Sequence, residues 1–347
     1  MGSGADAPAV TPFPIRAVVE WLEGQGVAFR PPVTVELIAG GRSNLTYTLT
    51  GADGHRLVLR RPPFDGVLES AHDMGREWRF ISALGPTPVP VPAPLALADR
   101  DGPLGVPFYV MSHVEGAVLH DAGSAGLFPP AARKGAAHSL IDTMVALHAV
   151  DIDEVGLGTI AKREDYLHRQ LRRWKRQWDQ SSSTDIAAVD EAFHALSRAV
   201  PEQEHTAIVH GDFRLGNTIC GPDGTVLAVL DWELATLGDP LADLGWLLSY
   251  WLQPGEWPGE VTPEAPPSLL PGFPTRASML ARYHDGTGTD LSGMDYYIAF
   301  SHWRSACISG GVLTRYESGV MGADGFDPTP LRQGIIGRAA AALALLA

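Results

Sequence analysis

The 347-residue sequence predicts an α+β protein, with a small β-rich lobe followed by a larger, mainly helical lobe. Three observations carry this prediction. Up to about residue 111 the strongest patterns are short apolar stretches broken by turn residues. Beyond about residue 116 the apolar residues recur with a helical period. Two short strand-like stretches, 206–209 and 226–230, interrupt the helical half. The length suits about two domains of ordinary size, read here as residues 1–111 and 112–347.

Residues 15–23, IRAVVEWLE, form a short amphipathic helix pattern. Strand patterns cover Val33 to Leu49 and Arg56 to Arg60, joined by the turn-rich GADGH at Gly51 to His55. Ser70 to Leu84 is helical, with Trp78, Ile81 and Leu84 on one stripe. PTPVPVPAP, Pro86 to Pro94, reads as a stiff connector. VPFYVM, Val106 to Met111, is a further strand. Helical patterns then run over Ala131 to His148, Asp165 to Trp178, Ile186 to Val200, Pro240 to Trp251 and Tyr296 to Leu313. A Pro/Gly loop, Gln253 to Pro274, separates the last two.

Composition excludes several functions. Hydrophobic residues at 45% and charged residues at 19% are a normal globular balance. No run of 18 apolar residues points to a membrane span, and the first ten residues lack a secretory pattern. A formal charge of −14 argues against binding a nucleic-acid backbone. The 2 cysteines are too few for a disulfide framework and fit a reducing, cytoplasmic setting.

The chemistry concentrates in IVHGDFRLGNTIC, Ile208 to Cys220, and in the Asp231-Trp232-Glu233 that follows. A short strand delivers His210, Gly211 and Asp212 to a loop, and Asn217 follows Asp212 at D-x-x-x-x-N spacing. A turn, Gly221 to Gly224, leads to a second apolar strand ending at Asp231. A carboxylate and an amide supply hard oxygen ligands of the kind Mg²⁺ takes, together with phosphates. The other carboxylate can accept a proton or a hydrogen bond from a substrate hydroxyl. Phosphoryl transfer needs this division of labour.

These motifs resemble the protein-kinase-like superfamily, in particular the aminoglycoside phosphotransferase, or choline-kinase-like, family. LDWELATLGDPLADLGWLL, Leu230 to Leu248, is similar to that family's second motif. RLVLRRPP, GREWRFISALGPTPVPVP and PFYVMSHVEG further resemble a branch found alone or joined to acyl-CoA dehydrogenases. The resemblance spans about Val33 to Tyr316 and implies a bilobal protein-kinase-like fold, ATP and Mg²⁺ as cofactors, and a small-molecule hydroxyl as acceptor. Carried over residue by residue, it makes Asp212 the catalytic base or hydroxyl-positioning group, and Asn217 and Asp231 the metal ligands. His210 becomes a loop-orienting residue and Asp243 a buried brace of the loop; Glu233 has no settled role. His148 reads as a structural helix-end residue. On the nucleotide side, Gly40, Gly41, Ser43 and Asn44 match a phosphate-covering loop. Glu77 matches the acid that pairs with a basic strand residue. Met111, His113 and Val114 match the connector that meets an adenine edge.

One departure stands out. The strand that in most kinases carries a Lys carries Arg60, because the first lysine of the chain is Lys134. Alternation places Arg60 with Val58 on one face, and Arg61 on the other where the strand meets Pro62 and Pro63. Arg60 is then a compositional substitute, a rebuilt phosphate grip, or the mark of a nucleotide-binding module with little turnover. Lys162 to Gln180 is the densest positive segment. It reads either as a solvated helix face or as a dock for an anionic acceptor. Aminoglycoside-like, sugar and hydroxyacyl-CoA acceptors all stay open. A protein kinase is disfavoured, because GDPLADLG follows Asp231 with no activation segment between.

Overall fold

The computed structural model describes residues 12–38, 44–62, 73–183, 185–257, 260–319 and 327–347. The chain divides into two compact units, 1–115 with 228–233, and 116–227 with 234–347. The sequence boundary at 111/112 thus moves by four residues, and the segment around Asp231 joins the first unit. The reason is local: Val229 N–H donates to Pro90 O at 2.8 Å, and the Trp232 ring stacks on Phe80 at 6.2 Å.

The first unit is a five-stranded antiparallel sheet. Its strands are β1 (Thr34–Leu37), β2 (Leu45–Thr50), β3 (Arg56–Arg61), β4 (Pro94–Ala98) and β5 (Phe108–Ser112), in the order β1-β2-β3-β5-β4. Helix α1 (Ile15–Gly24) lays Val18, Val19 and Leu22 on the sheet core of Leu49, Leu57, Leu59, Phe108 and Val110. Helix α2 (Met74–Leu84) starts at Asp73, whose side chain accepts from Arg76 N–H at 2.9 Å. It buries Met74, Glu77, Phe80, Ile81 and Leu84, a helical stripe that includes one carboxylate. β4 was not legible in the sequence because Pro90 to Pro94 reads as a connector. Its proline stands at the first position of an edge strand, where no ladder N–H is required.

The second unit is mainly helical, with α3 (Ala122–Gly126), α4 (Pro130–His148), α5 (Tyr166–Asp179), α6 (Ala187–Arg198), α7 (Leu241–Tyr250), α8 (Arg276–Thr287), α9 (Met294–Glu317) and α10 (Thr329–Leu345). Helix α9 is central and packs on α5, α6, α7 and α10. Close approach of α7 to α9 depends on Gly245, where a Cβ would come within 2.6 Å of Tyr297 O. Strand β6 (Ala207–Val209) pairs antiparallel with β9 (Thr236–Gly238). Between them β7 (Thr218–Cys220) turns at Gly221 to Thr225 into β8 (Val226–Val229), whose last two residues belong to the first unit. Helices α3, α8 and α10 went unpredicted. In α8 only Met279 and Tyr283 are buried, and in α10 only Ile335, Ala339 and Ala342, so neither carries a strong apolar stripe. Among the described residues no helix is long and apolar enough to cross a membrane.

Candidate active site

In the first unit the charged residues gather around Arg60. Strand register sets Arg60 between Thr46 on β2 and Tyr109 on β5, on the face away from Leu57 and Leu59. Its Nε lies 2.9 Å from Glu77 Oε2. Its Nη2 is paired with Asp231 Oδ1, and Glu233 Oε2 is 3.9 Å away. Glu77 is buried by its place in the α2 stripe and takes two further donors: Tyr109 O–H at 2.9 Å and Asn44 Nδ2 at 3.0 Å. Asn44 Nδ2 also reaches Glu233 Oε2 at 3.3 Å. One guanidinium thus serves three carboxylates. Burial alone would lower the Arg60 pKa, but Glu77, Asp231 and the other negative neighbours reverse that and raise it. Burial pushes Glu77 above the usual carboxylate range, against the pull of Arg60. The Tyr109 hydroxyl is also pushed up, by burial and then by Glu77.

Asp231 follows β8 with a φ of +65°, one of two non-glycine residues in the left-handed region among the described residues. This sharp turn points its carboxylate at Arg60 while Trp232 returns to the core, its indole N–H donating to Val229 O at 3.1 Å. Arg61 is buried, 1% exposed, with Nε donating to Pro62 O at 2.9 Å. Its truncation would therefore disturb packing as well as charge. Met111 lies inside the ladder opposite Val58 and Pro94, and His113 and Val114 follow it. The His113 pKa is lowered, by burial and then by Arg56. Gly40, Gly41 and Ser43 lie outside the described residues.

In the second unit β6 ends at Val209 and the chain turns through His210, Gly211 and Asp212. Gly211 has a φ of +85°, and a Cβ there would stand 3.0 Å from Leu234, so this turn needs glycine. Asp243, in the first turn of α7, is fully buried and accepts from His210 N–H at 2.7 Å and Gly211 N–H at 2.8 Å. His148 Nε2 lies 3.5 Å from the same carboxylate, and its Nδ1 is 2.8 Å from the Tyr283 hydroxyl. Burial works to raise the Asp243 pKa, but His148, His210 and the Gly211 N–H outweigh it and hold the group below the usual range. The helix-end residue His148 is thus part of the brace. His210 Nδ1 accepts from Asp212 N–H at 3.1 Å, which fixes the loop.

The Asp212 carboxylate takes three side-chain donors. Oδ1 accepts from Trp246 Nε1 at 2.6 Å and Arg214 Nε at 3.1 Å. Oδ2 accepts from Asn217 Nδ2 at 2.7 Å. Asn217 Nδ2 also donates to Asp212 O at 2.8 Å, so only its amide oxygen is left to act as a ligand. Trp246, Arg214 and Tyr109 were not singled out in the sequence. Signals existed: Trp246 is one helical turn beyond Asp243, Arg214 two residues beyond Asp212, and Tyr109 is the cross-strand partner of Arg60.

The basic segment forms α5, which buries Tyr166, Leu167, Leu171, Trp174 and Trp178. Part of its charge is used internally. Arg169 donates to Lys162 O at 2.8 Å and Leu237 O at 3.1 Å, and Lys175 pairs with Asp190 at 3.1 Å. Arg172, Arg173 and Arg176 are exposed.

Known proteins resemble this chain in sequence and in fold. The model of the phosphotransferase enzyme family matches residues 34–292. Over 302 residues the chain is 34% identical to acyl-CoA dehydrogenase family member 11 of Gallus gallus, covering 84% of this chain and 38% of that protein. The chain therefore spans well under half the length of that relative. A solved structure from Ralstonia eutropha, provisionally described as an aminoglycoside phosphotransferase, matches with a TM-score of 0.79 and 32% identity, over 96% of this chain and 98% of that one. Choline kinase from Cryptosporidium parvum has the same fold, with a TM-score of 0.65 at 12% identity over 96% and 95% of the two chains. The fold is that of the protein-kinase-like phosphotransferases, and the chain belongs to the phosphotransferase enzyme family.

Proposed function

We propose that this protein transfers the γ-phosphoryl group of ATP to a hydroxyl group of a small molecule. The observation that carries the reading is the state of the Asp212 carboxylate. A carboxylate offers about four lone pairs. Here three are committed, two on Oδ1 and one on Oδ2. The remaining site on Oδ2 can accept a hydroxyl proton, and the braced loop fixes its direction. Such positioning is most of what phosphoryl transfer asks of a protein.

The metal proposed is Mg²⁺, and the donor chemistry fits it. Asn217 contributes an amide oxygen and Asp231 a carboxylate oxygen, both hard ligands. Among the described residues no three His, Cys, Asp or Glu side chains converge to hold a metal by themselves, which suits a cation that takes its other ligands from nucleotide phosphates. When bound, such a cation would neutralise charge on those phosphates. We assign Arg60 to the phosphates, with Glu77 holding it and Asn44 donating to Glu77 in turn, and Met111, His113 and Val114 to the adenine edge. Gly40, Gly41, Ser43 and Asn44 belong to the proposed phosphate-covering loop. The acceptor is an aminoglycoside-like, sugar or hydroxyacyl-CoA compound; the dehydrogenase-family relative and the exposed arginines of α5 favour testing the thioester first.

A second reading, a nucleotide-binding module with little turnover, is favoured by one observation: Arg60 replaces the usual Lys and is tied to Asp231, the proposed metal ligand. A screen of Mg-ATP consumption with hydroxyacyl-CoAs, aminoglycosides, sugars and amino alcohols separates the two. Acceptor-dependent ADP formation supports the phosphotransferase. Mg-dependent ATP binding with no acceptor-dependent turnover supports the module.

A further inference from the structure

We infer that Trp246 and Arg304 are positioning residues that together set the direction of the Asp212 carboxylate. The inference rests on the reading of Asp212 as the proton acceptor. Helix α7 meets the loop twice. Asp243 holds its backbone N–H groups, and Trp246, one turn later on the same face, gives Asp212 the shortest of its three side-chain bonds, 2.6 Å to Oδ1. An indole N–H has a single donor and no acceptor capacity. With Arg214 it occupies Oδ1, and Oδ2, which takes one side-chain donor from Asn217, keeps a lone pair for a further partner.

Arg304 supports that indole. It is 4% exposed, in the middle of α9, among aromatic and small residues. Its guanidinium carbon lies 4.4 Å from the Trp246 ring centroid and 5.1 Å from that of Trp174 on α5. Its Nη2 donates to Gly211 O at 2.7 Å, and its Nε has no hydrogen-bond acceptor among the described residues. A buried cation held between two indole faces is the arrangement in which planar stacking and cation–π attraction replace a carboxylate partner. Gly211 is then held through both of its backbone groups, its N–H by Asp243 and its carbonyl by Arg304. Arg304 thereby couples the loop backbone to the ring that orients the carboxylate. A lysine could keep the charge but not the stacked plane.

The test has two arms. In the first, indole N–H signals of uniformly ¹⁵N-labelled protein are recorded for wild type, Trp246→Phe, Asp212→Asn and Arg304→Lys. Trp246 should give a signal that exchanges slowly with deuterium, vanishes in Trp246→Phe, and moves in both Asp212→Asn and Arg304→Lys. A Trp246 signal that exchanges at the solvent rate, or ignores Asp212→Asn, overturns the proposal. In the second arm, Trp246→Phe and Arg304→Lys should lower kcat by on the order of ten- to a hundredfold with KM for ATP unchanged, the cost of a misdirected reacting group. Matched circular dichroism and melting curves confirm that the variants fold. Unchanged kcat in a folded Trp246→Phe overturns the proposal. A wild type without turnover on any acceptor counts instead against the phosphotransferase reading, and the indole signals then decide the positioning alone.

Discussion

Replacing Arg60 with alanine should destabilise the first unit, and the size of the loss follows from Glu77. The Glu77 side chain is 2% exposed and faces Arg60 Nε at 2.9 Å. Removing one partner of a buried ion pair costs about 3–5 kcal/mol, because the other charge stays buried. Glu77 keeps the Tyr109 hydroxyl at 2.9 Å and Asn44 Nδ2 at 3.0 Å, so the lower end, about 3 kcal/mol, is expected. The pairing of Arg60 with Asp231 adds little to this, since that carboxylate is 32% exposed. The assay is urea denaturation followed by near-ultraviolet circular dichroism, with wild type, Arg60→Ala, Glu77→Gln and the double variant. Glu77→Gln removes the stranded charge and keeps groups that can bond Tyr109 and Asn44. The double variant should therefore recover most of the loss. The loss in Arg60→Ala should also be smaller at pH 5 than at pH 8, because an unpaired Glu77 can take up a proton. An Arg60→Ala protein as stable as wild type, or a double variant no better than Arg60→Ala, would show that Arg60 does not neutralise a buried Glu77 charge.

Other perturbations probe the nucleotide, the metal and the pH response. Arg60→Lys should use ATP clearly less well than wild type if a planar fork is needed to bridge Glu77, Asp231 and phosphate, and nearly equally if only the charge matters; steady-state kinetics in ATP decides this. Asp231→Ala should lose the Mg²⁺ dependence of ATP binding measured by calorimetry, and an unaltered dependence would remove Asp231 from the metal site. His302 is held neutral by burial and then by Arg338 and Arg276, its pKa lowered from 6.5 to about 4, and Arg338 Nη1 lies 3.0 Å from its Nδ1. The folded state thus binds fewer protons than the unfolded state between those values. Stability from this group is fully present above pH 6.5 and is lost as the pH falls towards 4, by on the order of 3 kcal/mol. His302→Gln, which does not titrate, should show a flatter fall over that window in melting experiments; identical curves would discard the assignment.

Much of this was legible in the sequence because each motif residue is placed by its neighbours along the chain. Asp212 and Asn217 share one loop, so their spacing alone brings the amide to the carboxylate. Arg60 and Glu77 needed one more step, the alternation of β3, and the 2.9 Å pairing shows that this register was right. What stayed hidden depends on packing between elements distant in sequence. Arg304 reaches Gly211 across 93 positions, and Trp246 reaches Asp212 across 34; sequence position marks each residue but not the partner it meets. Arg304 did leave a trace, as a lone arginine inside the apolar helix segment Tyr296 to Gly310. The link between His148 and the Asp243 brace was hidden for the same reason. Helix α10 was missed on other grounds: its alanine-rich sequence has high helix propensity and little amphipathic contrast.

The central claim is that Asp212 receives the proton of an acceptor hydroxyl while ATP gives up its γ-phosphoryl group. The direct measurement is phosphorus NMR of Mg-ATP incubated with each acceptor class, for wild type and Asp212→Asn at equal concentration. ADP together with a new phosphomonoester signal is expected for one acceptor class. Asp212→Asn should slow that product by on the order of 10²–10⁴ while binding ATP as before. A phosphomonoester formed equally fast by Asp212→Asn, or ATP consumed with water as its only acceptor, would contradict that claim.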